Sequence, residues 1–251
     1  MPNVITCYKW VIDEADIRAG GGGALSFEQA GRKISEYDRN AIEAAVQICE
    51  QQGGSVTAIS LGGPEVKSSA KDALSRGPER AILALDPAFA NADSQTTALG
   101  LTAAVKLAGA YDLIVCGEGS GDVYAQQVGP RLAELLGIPC ITFAGKLTVT
   151  ATGVVAERKL DDGVEVVEAA FPVLVTVLPD VAKPRIPSLK QVMGAAKKEV
   201  KVVDAAALGL AGDALAARFE TKALKAPASN RKQVKVANPV ALAEAIAGAV
   251  R

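Results

Sequence analysis

Residues Asp112 to Pro130 read DLIVCGEGSGDVYAQQVGP, and the residue types in this run suit anion binding. Gly117, Gly119 and Gly121 carry no side chain to block a ligand and can adopt backbone angles closed to other residues, so main-chain N–H groups there can face a phosphate. The apolar stretch before them predicts a buried strand. The residues after them predict a helix from near Asp122, whose positive dipole end points at the same spot. A nucleotide is the natural ligand of this arrangement, and a plain tight connection between strand and helix is the alternative. The spacing is G-x-G-x-G rather than the G-x-G-x-x-G of dinucleotide folds, and it follows the fourth predicted strand rather than the first. No G-x-x-x-x-G-K-[ST] run occurs.

The chain has no histidine. That excludes hydrolases built on a histidine base, histidine-ligated metals and phosphohistidine chemistry. No paired carboxylates or lysine-centred pocket stand out as acid–base machinery. An enzyme here would have to work with carboxylates, lysines or a bound cofactor, and a protein that binds a cofactor without doing bond chemistry moves up the list. Cys7, Cys49, Cys116 and Cys140 form no C-x-x-C pair and sit mostly in apolar runs, which predicts buried, reduced thiols and no metal site. Gly20 to Gly23 lacks the lysine and hydroxyl residue of a phosphate loop and reads as a flexible surface turn.

These residues need a scaffold, and the hydrophobic pattern supplies one. Apolar runs of strand length recur at Val4 to Trp10, Ser55 to Leu61, Arg80 to Leu85, Asp112 to Cys116 and Val173 to Leu178. Between the first four lie helical segments. Ile42, Ala45, Val46 and Cys49 share one face of Asp38 to Gln52, and Pro64 to Ser75 and Ser94 to Leu107 also read as helices. Ala125, Val128, Leu132 and Leu135 line a fourth. Strands alternating with helices predict an α/β fold with a doubly wound, mostly parallel, Rossmann-like sheet whose ligand sits beyond the C-terminal strand ends.

After Pro139 the rhythm changes. Ile141 to Thr150, Gly153 to Leu160 and Val164 to Ala170 alternate around two glycine-bearing turns, which predicts an antiparallel excursion before Val173 to Leu178 rejoins the sheet. Pro179, Pro184 and Pro187 then break regular structure ahead of a short helix over Lys190 to Lys198. Residues 1–200 thus read as one α/β nucleotide-binding domain and residues 201–251 as a C-terminal arm. The arm ends in a helix capped by Asn238, opened by Pro239 and striped by Leu242, Ala245, Ile246, Ala249 and Val250. An arm of this kind needs a surface to lie on, and a partner subunit is the expected one.

A net charge of -1 with 22% charged residues gives no electrostatic reason to bind nucleic acid or an anionic membrane. No window approaches the roughly 20 apolar residues of a spanning helix, and the first residues lack the pattern of a leader, so a soluble cytoplasmic protein is expected.

Several separated blocks together carry a resemblance. ITCYKWVID at Ile5 to Asp13, ISEYDRNAIEAA at Ile34 to Ala45, the turn from Ala58 to Pro64, and GEGSGDVYAQQVGP at Gly117 to Pro130 are four of them. The fifth and most specific is ERKLDDGVEVVEAAFPVLVTV followed by PRIPSLKQVMGAAKKEV, between Glu157 and Val200. In these blocks the chain resembles the beta subunit of electron-transfer flavoproteins, most closely the branch associated with anaerobic carnitine metabolism.

That resemblance implies an electron carrier rather than an enzyme. It would pair with an alpha subunit, share a redox-active FAD held largely by that partner, and exchange electrons with a flavin dehydrogenase or reductase. It also implies a pocket in this chain for AMP or a second FAD. Matched to this sequence, the pocket takes in Cys7, Ser35, Glu36, Tyr37, Asp38 and Leu61, then Gly117, Glu118, Gly119, Ser120, Gly121 and Asp122, and finally Val123, Tyr124, Ala125, Gln126, Gln127 and Val128. The chain departs from the family pattern at Ser35 and Glu36, which replace an Asn-Pro pair, and at Val123, Tyr124 and Ala125. Arg158 falls where the family has an arginine near the partner's flavin; pairing with Glu157 or Asp161 is the alternative. The segment from Pro184 to Ala196 resembles the loop that docks dehydrogenases, with Leu189 as its anchor and Pro184, Arg185, Lys197 and Lys198 around it. A stress-protein-like α/β protein that binds or hydrolyses ATP, and a structural subunit with an empty pocket, are the competing readings; the former leaves Glu157 to Val200 without a use.

Overall fold

The computed structural model describes residues 1–216, 218–219, 221–227 and 234–249. Strand β1 (Asn3–Cys7) turns at Tyr8 and Lys9 into the short β2 (Trp10–Ile12). The apolar pattern predicts one strand through Trp10. It ends earlier because the amide of Tyr8 still bonds to Ile59 whereas that of Lys9 donates to the Asp38 carboxylate, off the sheet. Two further short strands, β3 (Arg18–Ala19) and β4 (Leu25–Ser26), precede β5 (Arg32–Ile34), which pairs antiparallel with β2.

Strands and helices then alternate as predicted: α1 (Glu36–Gln52), β6 (Ser55–Gly62), α2 (Ala70–Ser75), β7 (Arg80–Leu85), α3 (Ser94–Ala108), β8 (Leu113–Gly117) and α4 (Val128–Leu136). The antiparallel excursion follows as β9 (Cys140–Val149), β10 (Gly153–Leu160) and β11 (Gly163–Ala170). β12 (Val173–Val177) returns to the sheet, α5 (Leu189–Ala195) is the short helix of the proline-flanked segment, and β13 (Glu199–Val203) pairs parallel with β7. A last helix, α6 (Pro239–Ala249), closes the described chain.

The nine-stranded sheet runs in the order β11-β10-β9-β12-β8-β1-β6-β7-β13. Its central strands are buried on both faces, which is why β6 reads SVTAISLG and β12 reads VLVTV with no polar alternation. The hairpin of β10 and β11 alternates because much of it faces water. Alternate residues feed two cores. On one face Val4, Val56, Val115 and Val175 pack with Ile42 and Ala45 of α1. On the other, Ile5, Ile59, Ile114 and Leu174 pack with Leu101 and Val105 of α3 and Leu132 of α4. The turn out of α1 needs Gly54, at φ 115°, because a side chain there would run into the carbonyl of Pro2.

The described chain divides into two compact units, Met1–Ile17 with Phe27–Thr221, and Arg18–Ser26 with Lys222–Arg251. The second unit contains β3 and β4, paired antiparallel around an exposed turn at Gly21–Gly23, and a bridge from Ala24 to Lys225. In the same unit the amide of Ala241 donates to Asn238 Oδ1 at 2.9 Å, so Asn238 caps α6. Val240, Leu242 and Ile246 of that helix are exposed. Val250, the last residue of the expected stripe, lies outside the described residues.

Candidate functional site

β1 lies between β6 and β8, and the chain reaches β8 only after building β6 and β7 on the other side. The strand order therefore reverses at β1, and α1 and α4 leave the C-terminal ends of β1 and β8 toward opposite faces. Such a switch point opens a crevice beyond the strand ends. Residues of three of the resembling blocks meet there.

Asp38, in the first turn of α1, is buried and spans the crevice floor. It accepts the amide of Lys9 at 2.8 Å and that of Gly117 at 3.3 Å. Burial pushes its carboxyl up to about 7, against the downward pull of those two amides and of Lys9, with Asp122 adding to the rise. Gly117 has to be glycine for α1 to come this near, since a Cβ there would sit 2.7 Å from Asp38 Oδ1. Ser35 caps nothing in its own helix; its hydroxyl accepts the amide of Gly121 at 3.2 Å instead. Lys9 Nζ reaches Asp122 at 2.7 Å, and Asp122 also accepts the amide of Val123. Burial opposes ionisation of Asp122, yet Lys9 and the local hydrogen bonds hold its carboxyl below the usual range.

The helix expected from near Asp122 begins instead at Val128. Tyr124 and Gln126 hold φ values of 49° and 57°, which a right-handed helix excludes, and the amide of Tyr124 turns back to Ser120. Ala125 consequently precedes α4 rather than lining it. Gln127 occupies the cap position and joins Ser94 at 2.8 Å and Arg131 at 3.3 Å, while Arg131 also donates to Gln95 at 2.6 Å.

A phosphate needs free donors. The amides of Gly117, Glu118, Gly121, Val123 and Tyr124 are already taken by protein oxygens. Among the described residues those of Gly119, Ser120, Asp122, Ala125, Gln126 and Gln127 have no protein acceptor, and no side chain caps α4. Arg131 adds positive charge at that end. The donor set thus fits the phosphate of a nucleotide at the α4 side, whereas the α1 side is filled by the chain's own carboxylate, Asp38.

Cys7 and Cys116 are register partners at the ends of β1 and β8 and both are buried, as is Cys49. Cys7 and burial together push the Cys116 thiol up, which makes that sulfur apolar lining rather than a nucleophile. Cys140 departs from the expected burial and is exposed, at the start of β9. Leu61, at the end of β6, lies against Gly100 of α3. Glu36 is on the outer side of the first turn of α1, paired with Lys33 at 3.1 Å.

The remaining assigned residues lie elsewhere. Arg158, on β10, donates to the carbonyl and hydroxyl of Thr142 and pairs at 2.9 Å with Glu165, its register partner on β11. Its ionic partner is therefore neither Glu157, which pairs with Lys146, nor Asp161. Arg185 grips Glu43 and Glu50 of α1. Lys198 donates to the carbonyls of Leu74, Gly77 and Pro78. Pro184 is partly covered and Lys197 is exposed, as are Ile186 just before α5 and Leu189 and Met193, which are one turn apart on it and form an apolar ridge. Ser188 and Gln191 form the capping box that starts α5.

Sequence reasoning missed Lys9, Ser94 and Arg131. Lys9 carried a signal, being a charge at the end of an apolar strand. Arg131 carried one too, four residues beyond Gln127 and hence on the same helix face. No helix among the described residues is long and apolar enough to cross a membrane. The family model described as the electron transfer flavoprotein domain matches residues 24–208, well over half of the chain, and the chain belongs to that family.

Proposed function

We propose that this member of the electron transfer flavoprotein family is the beta subunit of a heterodimeric carrier, passing electrons between a flavin dehydrogenase or reductase and a second redox partner. The observation that carries the reading is the match over residues 24–208, which takes in the α1 and β8–α4 walls of the switch-point crevice, Arg158 and the Pro184 to Ala196 segment together. A bound FAD would supply the electron chemistry, and the protein would supply position and electrostatics. In this reading the FAD lies at the interface with the alpha subunit, near Arg158, whose guanidinium is held rigid by Thr142 and Glu165. The crevice of β1 and β8 holds an adenosine phosphate, either AMP or part of a second FAD. Its phosphate takes the amides between Ala125 and Gln127 and the start of α4. The blocks that resemble the carnitine-linked branch support that pathway as the setting, and a cytoplasmic location goes with it.

Co-expression with an alpha subunit tests the reading. The expected product is a yellow heterodimer that releases FAD and an adenosine phosphate on heating, identified by chromatography. A colourless, stably monomeric chain that hydrolyses ATP would overturn it.

A further inference from the structure

We propose that Tyr124, backed by Tyr37, is a preformed stacking platform for the base of a nucleotide in the switch-point crevice, and so favours ligands that carry a base over those that carry phosphate alone. The inference rests on the nucleotide reading above and goes beyond it to a side chain and a ligand part.

Four observations converge on this ring. Its centroid lies 5.1 Å from that of Tyr37, with the planes tilted by 39°, so one face is supported from behind. Beneath it is Gly119, where a Cβ would sit 2.6 Å from Tyr124 Cδ2, so the glycine is what lets the ring settle on the turn. The backbone is held too, at φ 49°, by the bond from its amide to Ser120 at 3.0 Å. Yet the residue is 44% exposed, so an aromatic ring held by its neighbours still presents much of its surface.

A ring already ordered by folding loses little further freedom when a ligand stacks on it, and base stacking on an aromatic side chain is insensitive to which base it is. The unbonded amides of Ala125, Gln126 and Gln127 follow directly along the chain. A base on Tyr124 and a phosphate on those amides are thus the two ends of one mononucleotide. The same base-plus-phosphate unit occurs in free AMP and at the adenine end of FAD.

Titration of the full chain with AMP, FAD, FMN, ribose 5-phosphate and the fluorescent analogue 1,N6-etheno-AMP tests the assignment. Tyr124→Phe keeps the ring, and Tyr124→Leu keeps apolar bulk without it. AMP should bind Tyr124→Phe within about twofold of wild type and Tyr124→Leu about tenfold more weakly. Ribose 5-phosphate should bind all three alike, and etheno-AMP emission should be quenched by the wild type and Tyr124→Phe only. If FAD uses its adenine end here, it shows the same dependence on Tyr124; if only AMP does, the free mononucleotide is the ligand. Unchanged AMP affinity and quenching in Tyr124→Leu would overturn the platform and leave the nucleotide pocket standing. FMN binding with the same dependence would overturn the assignment to a base. A wild type that binds neither AMP nor FAD would overturn the pocket and the platform together.

Discussion

Asp38 accepts the amide of Gly117 at 3.3 Å across the crevice, and through its other oxygen it takes the amide of Lys9, so one buried carboxylate from α1 ties together the ends of β1 and β8. A phosphate approaching this point would meet that carboxylate, which is why the donor set of the site lies on the α4 side.

The buried position makes this tie sensitive to pH. Burial raises the folded-state value to about 7, well above the roughly 3.9 of a free aspartate. Between those values the folded chain holds more protons than the unfolded one, so this group's contribution to stability falls as pH rises and levels off above the folded value. Asp38→Asn removes the titration but turns an NH2 toward one of the two amides. It should therefore be less stable than wild type by about 1–3 kcal/mol near pH 5, with the gap narrowing toward pH 8. Urea unfolding at both pH values checks this. A gap that does not change with pH would mean that Asp38 stays ionised throughout.

Arg185 reaches Glu43 through Nε at 2.7 Å and Nη2 at 3.0 Å, and Glu50 through Nη1 at 2.7 Å. Glu43 is buried, and in the folded chain its carboxyl stays below the usual range because Arg185 and Gln47 outweigh the cost of burial. Arg185→Ala strands that charge and should cost about 2–4 kcal/mol. The double variant with Glu43→Gln should recover part of the loss, as a double-mutant cycle in urea would show. A single-variant cost below about 0.5 kcal/mol would mean that water screens the pair.

The same pair marks the boundary of what local pattern reveals. Strand and helix periods are local properties, and they place the parallel sheet, the hairpin excursion and most of the helices, while the ends of β1, α4 and α5 and the strand β13 escape them. The charges of Arg185 and Lys198 are visible too, but the residues that consume them, Glu43 and the carbonyls after α2, lie more than a hundred residues away in sequence. So read locally, both look like free rim charges. The site shows the same division. Gly117 to Gly121 announces a turn, whereas the late start of α4 depends on left-handed backbone at Tyr124 and Gln126, residue types that carry no signal for it. Asp38 looks like an ordinary first-turn acid of a helix until the fold sets it between Lys9 and Gly117.

Gly129 links core packing to the site. It sits in the first turn of α4 facing β12, and a Cβ there would collide with the Thr176 methyl. Gly129→Ala should push the start of α4 off the sheet at a cost of about 1–3 kcal/mol. It should also displace the amides ahead of the helix, so that under the proposed function nucleotide retention falls with stability. Paired measurement of the melting temperature and of nucleotide released on heating checks both, and unaltered stability would show that α4 yields without strain. Thr176→Ser, combined with it, removes the colliding methyl and should restore both quantities together.

Leu189 is 75% exposed at the start of α5, with Ile186 at 94% and Met193 at 66% beside it. Folding gains almost nothing from a side chain in water, so Leu189→Ala should leave stability within about 0.5 kcal/mol of wild type. The exposed ridge does work only if something covers it, and a buried apolar anchor at the centre of a docked surface carries a disproportionate share of binding. Under the proposed function, Leu189→Ala should therefore slow electron transfer to the partner dehydrogenase by about tenfold while FAD content stays the same. Leu189→Met, which keeps the apolar reach, should retain most of the rate. The rate is read by following reduction of the heterodimer's flavin by the dehydrogenase, and equal rates for wild type and Leu189→Ala would remove the anchor role from this helix.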